Sequence, residues 1–158
     1  YGPSLDDLHF HPDALYESLF EAEQPQAFLN SPTFRQLQQG YQQDLAASAA
    51  LTPVVKELAF AVYQLPNAAW ARRVSGVFSN DLVRAFPARA HAVLTERHDG
   101  AFLVSVRAPF ERRTGAEVVC SQFETGGGRE AAAGINRLPA DELSRLVNAL
   151  AAEYGGLP

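Results

Sequence analysis

The run "AHAVLTERHDGAFLVSVRAP", residues 90–109, constrains the fold more than any other stretch. Two stretches of strand composition flank a reverse-turn signal, "HDG", which predicts an antiparallel hairpin. A lone hairpin is marginal in water, so this pair has to sit in a larger sheet. The period of two in its second half puts Phe102, Val104 and Val106 on one face and Leu103, Ser105 and Arg107 on the other.

The surrounding sequence supplies the rest of that sheet. "KELAFAVYQLP" stops at Pro66 and reads as a strand covered on both faces. "ARRVSGVFSNDLVRAF" sets Val74, Phe78 and Leu82 at helical spacing. After the hairpin, Thr114 and Glu117 match a capping box and predict a short helix in "TGAEVVCSQF". Three glycines follow, then "AAAGINRL" as a strand. A final helix aligns Leu143, Leu146, Val147, Leu150 and Tyr154 and stops at Gly155. Toward the start, Ser31 and Pro32 open a helix with Phe34, Leu37, Tyr41 and Leu45 on one stripe. Residues 1–30 carry Pro3, Pro12 and Pro25 and a helical patch that aligns Leu15, Leu19 and Phe20. The expectation is an α/β fold: a compact domain over 53–158 with a central mixed β-sheet flanked by helices, preceded by a helical connector arm over 1–52.

Composition narrows the function. A chain of 158 residues can bury roughly 70% of its unfolded surface, and 47% apolar with 20% charged residues is ordinary for a globular protein. The net charge of −5 excludes general attraction to nucleic acid or anionic membrane, so any anion site must be local. Cys120 is alone, which excludes an internal disulfide and predicts a small buried hydrophobe. No apolar run is long enough to span a bilayer and the first residues lack signal-peptide character, so a cytoplasmic location is expected.

Two readings compete for "GGGREAAAG", residues 126–134. As a plain connector, the glycines supply positive φ, and Gly127→Ala then acts on stability alone. As a site, Gly126, Gly127 and Gly128 expose main-chain amides to an anion, with Arg129 adding a charge-assisted contact. Ser105 and Arg107 point the same way at a strand end, a hydroxyl and a guanidinium suited to phosphate or carboxylate.

"VSVRAP", a short helix and then "GGGREAAAG" resemble the C-terminal DHH-associated substrate-binding domain of DHH-type phosphoesterases, which include RecJ-type exonucleases and nanoRNase/pAp phosphatases. The resemblance covers roughly residues 55–152. It implies that Ser105, Arg107, Gly126, Gly127, Gly128 and Arg129 bind the phosphate of a nucleotide or short single-stranded oligonucleotide. It further implies that the partner is an N-terminal catalytic domain outside this chain, carrying a divalent metal, Mn or Mg; a homodimer stays open. Arg129 stands where the family usually has histidine, and arginine cannot titrate near neutral pH. A non-catalytic binding or assembly module derived from the same fold is the alternative.

The remaining candidates carry less. "HFH", His9 and His11, has no nearby third metal ligand, and His98 beside the turn reads as a loop residue. Trp70 reads as core, whereas Phe110, just past the strand, is the better base-stacking candidate. No nucleophile–base pair is evident, and the expected fragment has no cofactor or catalytic residue of its own.

Overall fold

The computed structural model describes residues 4–156. Contacts along the chain sort it into two compact units, Tyr1–Ala50 with Ala69–Val74, and Leu51–Ala68 with Ser75–Pro158.

The first unit opens with a 3-10 turn over Leu5–Asp7, followed by helices α1 (Pro12–Phe20), α2 (Pro25–Leu29) and α3 (Pro32–Ala49). Each helix begins on proline, whose preset φ and missing N–H suit the first helical position. Ser31 caps α3 as expected, its hydroxyl accepting from the Phe34 amide at 3.1 Å. The short α2 carries no sequence signal beyond its proline. The inward stripe of α3 is Gly40, Asp44 and Ser48, with Tyr41 exposed, and so is rotated from the predicted one. A polar network causes this rotation. Arg73, in the first turns of α4 (Ala69–Ala85), grips Asp44 at 2.7 and 2.8 Å and donates to the Asp7 carbonyl at 2.7 Å. Arg72 grips the Asp7 carboxylate at 2.7–2.9 Å, which holds its pKa below the ordinary carboxylate value. The His9 ring lies across Gly40, where any Cβ would overlap it. The expected apolar face of α1 is not buried: Leu19 and Phe20 are exposed, and Phe20 stacks on Tyr16 at 5.9 Å.

The second unit is the predicted α/β sheet, with strands β1 (Val55–Lys56), β2 (Phe60–Leu65), β3 (Ala90–Glu96), β4 (Phe102–Arg107), β5 (Gly126–Arg129) and β6 (Ala132–Leu138). Their order is β1-β2-β3-β4-β6-β5, with β2 and β3 parallel and every other pair antiparallel. Helix α4 supplies the crossover that the parallel pair requires. The hairpin forms as predicted, pairing His91 with Arg107 and Val93 with Ser105.

One side of the sheet carries the main core. Phe60, Val62, Leu94, Phe102, Val104 and Ile135 pack with α5 (Ala116–Cys120) and α6 (Leu143–Tyr154), whose Leu146, Leu150 and Tyr154 are fully buried. Cys120 is buried there, and desolvation pushes its thiol up to about 12. On the other side, Tyr63 meets Phe78 of α4 edge-on at 5.3 Å, and His91 and Val93 are buried. Farther across that side, Ser105, Arg107, Ala132, Gly134 and Gly127 are only half-buried and Arg129 is exposed. The α4 side of β4, β6 and β5 is therefore open.

Two local expectations fail here. Thr114 forms no capping box: Gly115 caps α5 in the left-handed region at φ 99°, and the Thr114 hydroxyl accepts from Arg112 at 3.1 Å. The glycine run is not a connector but edge strand β5, joined to β6 by a two-residue turn.

Candidate anion-binding face

Opposed residues on antiparallel strands share a face, so the register fixes what stands beside what. One row across β4, β6 and β5 reads Arg107, Ala132, Arg129, and the next reads Ser105, Gly134, Gly127. The second row ends in two residues without side chains. The result is a bare backbone floor beside a row with a guanidinium at each end.

Arg107 is held in place by neighbours. Its Nη1 donates to the Ser105 hydroxyl at 2.8 Å and its Nε donates to the side-chain Oδ1 of Asn80, on α4, at 3.2 Å. Burial lowers the Arg107 pKa, and the nearby charge of Arg129 lowers it further. Among the described residues no carboxylate forms an ion pair with either arginine. Two unpaired like charges on one open face favour an anion between them. Asn80 lies 27 residues from Arg107 in sequence, and only the crossover of α4 brings it there, so no local signal marked it.

The three glycines have three different reasons to be glycine. At Gly126 a Cβ would overlap the Cys120 carbonyl, because α5 packs directly against this strand. Gly128 has φ 149°, and a Cβ there would crowd Ala133. Gly127 has neither constraint: its φ is not positive, and nothing lies within 4 Å of a Cβ built on it. The connector reading of Gly127, through positive φ, is thus corrected. Nor do the amides form a run of adjacent donors. The Asn136 amide donates to the Thr125 carbonyl at 3.1 Å, and by ladder alternation Gly127 and Arg129 also face β6. The Gly126 amide donates to the Phe123 carbonyl at 2.9 Å, leaving the Gly128 amide directed off the open edge.

Gly126→Ala is expected to cost about 1–3 kcal/mol in a urea melt through overpacking, whereas Gly127→Ala changes stability by less than about 0.5 kcal/mol. Equal losses at the two positions would contradict this division.

Other predicted candidates fall elsewhere. Phe110 is half-exposed with the Arg113 guanidinium 4.3 Å above its ring, and Trp70 is half-buried rather than core. His98 meets the Asn67 side chain at 3.0 Å, and the His11 ring caps α1. His91, which carried no sequence signal, is fully buried with neither ring nitrogen meeting a hydrogen-bond partner at proper geometry. Among the described residues no three His, Cys, Asp or Glu side chains gather to hold a metal ion. No described helix is long and apolar enough to cross a membrane.

Fold and site together define a mixed α/β domain with a cationic, glycine-floored face at one side of its sheet. No family model and no curated protein matches the sequence. Among solved structures, the fold is similar to that of the pGpG-specific phosphodiesterase PggH from Vibrio cholerae, with a TM-score of 0.58 and 14% identity over 89% of this chain. The match covers 48% of that protein, so this chain spans about half its length. The likeness is one of fold.

Proposed function

We propose that this chain is the C-terminal substrate-binding domain of a DHH-type phosphoesterase, and that Ser105, Arg107, Arg129 and the Gly127–Gly128 backbone hold the phosphate of a nucleotide or short oligonucleotide. The observation that carries the reading is the register, which stands Arg107 and Arg129 at the two ends of one row beside the bare Gly134–Gly127 floor. The similarity of fold to a phosphodiesterase supports it.

In this reading Ser105 and Asn80 orient the guanidinium and leave part of its donor set for oxygen atoms of the ligand. Arg129 supplies the second positive charge and the Gly128 amide a neutral donor at the edge. The floor lets the ligand approach backbone without meeting a side chain. Hydrolysis belongs to a separate, metal-bearing domain, and these residues bind and orient rather than cleave. Titration of this chain with a 5′-nucleotide tests the reading; failure to bind, or binding indifferent to Arg107→Ala, defeats it.

A second reading rests on Arg129 and Glu130 standing where the resemblance leads one to expect histidine. A non-catalytic binding or assembly module derived from the fold has lost the ancestral site, and its parent has no Asp-His-His segment. The coding sequence upstream of Tyr1 separates the two.

A further inference from the structure

A cleft of about 280 Å³ adjoins the anion-binding face and shares Arg107 with it. Its other walls include Arg84, Phe110 and Arg113, over an apolar floor that contains Val83 and Ala108. Three guanidiniums and a half-exposed aromatic ring around an apolar floor suit a ligand part that is flat and joined to an anion.

Arg113 is the unusual residue in this group. Among the described residues it alone combines a side chain with positive φ, at 56°. A tight turn imposes this conformation, since the Arg113 amide donates to the Pro109 carbonyl at 2.8 Å and that of Arg112 to the same oxygen at 3.1 Å. Glycine would adopt it without strain, yet an arginine stands there, with its guanidinium parked on Phe110 and its Nε donating to the Phe110 carbonyl at 3.3 Å. Both partners are accessible, so the guanidinium can lift without unfolding the loop. Arg84 has only an exposed contact with Asp81 at 3.5 Å, which leaves the cleft positive.

Resting on the reading above, we infer that Phe110 and Arg113 form a clamp for an aromatic ring, and that this pair makes the site prefer aromatic phosphates such as nucleotides over sugar phosphates. The phosphate sits on Arg107, the ring enters the cleft, and Phe110 and Arg113 close on its two faces. The turn keeps both residues on one short loop, so the guanidinium has only to lift off Phe110 and settle on the other face of the entering ring.

The test compares AMP with ribose 5-phosphate by calorimetric titration of the whole chain. Wild type is expected to bind AMP about tenfold more tightly, the increment that stacking one base supplies. Phe110→Ala should bring that ratio close to one while leaving the ribose 5-phosphate affinity within about twofold. Arg113→Gly suits the turn, so it is expected to fold, and it should lower the ratio at least about threefold. A ratio unchanged in both variants overturns the clamp, as does a parallel loss of both ligands. Arg107→Ala is the separate control: it should weaken both ligands together, and its failure to do so sinks the phosphate reading whatever the ratio shows. If neither ligand binds wild type, both proposals fall.

Discussion

Replacing Arg107 with alanine is expected to weaken binding of a 5′-nucleotide by one to two orders of magnitude while leaving the fold intact. A hydrogen bond to a charged group contributes about 1.5–3 kcal/mol, which corresponds to roughly 10- to 150-fold in affinity. The guanidinium is half-buried, so solvent screens it less than a surface charge, and no carboxylate competes for it among the described residues. Arg107→Lys should restore only part of the loss, because a point charge cannot hold Ser105, Asn80 and an oxyanion at once. The fold should tolerate both changes: the opposite face of β4 carries the core, and removing Arg107 relieves its repulsion with Arg129. Circular dichroism separates the outcomes, since lost binding with a native spectrum supports a contact role and lost structure does not.

Acid should destabilise the second unit through His91. Burial, with a smaller contribution from the charge of Arg89, pulls its pKa from 6.5 down to about 4, offset in part by the nearby Arg89 backbone. The folded state thus keeps the ring neutral where the unfolded chain already binds a proton. Stability is fully present above pH 6.5 and is lost as pH falls from 6.5 toward 4, by about 3 kcal/mol in total. Asp7, held low by Arg72, acts only below that window, where its carboxylate protonates. Urea melts at pH 7.5 and 4.5 test the assignment. His91→Leu fills the same space without unpartnered nitrogens, so it should be at least as stable at neutral pH and lose most of the acid slope. An unaltered slope in that variant would move the effect to other groups.

The sequence makes the sheet legible and its edges less so. The hairpin, the α4 and α6 stripes and the Ser31 cap are visible because each rests on a local signal that no distant contact overrides. The α3 stripe is misread because buried arginine–carboxylate pairs, not apolar residues, set its inward face. Thr114 fails as a cap because the left-handed Gly115 takes the cap position. Strand β5 hides in a glycine run that has neither side-chain periodicity nor β-propensity, so only its pairing with β6 makes it a strand. Within the candidate site, Ser105 and Arg107 are readable from alternation in one strand. That Arg129 and Gly127 share their face depends on two further strand registers, and the contact with Asn80 on the crossover helix.

Amide and guanidinium NMR shifts of the whole chain, followed during titration with a 5′-nucleotide, locate the ligand without substituting any residue. The changes are expected to centre on Ser105, Arg107, Gly127, Gly128, Arg129 and Gly134, on the open side of the sheet. Shifts centred on the α5–α6 side, or none at saturating nucleotide, would show that the paired arginines and the glycine floor do not make a phosphate site.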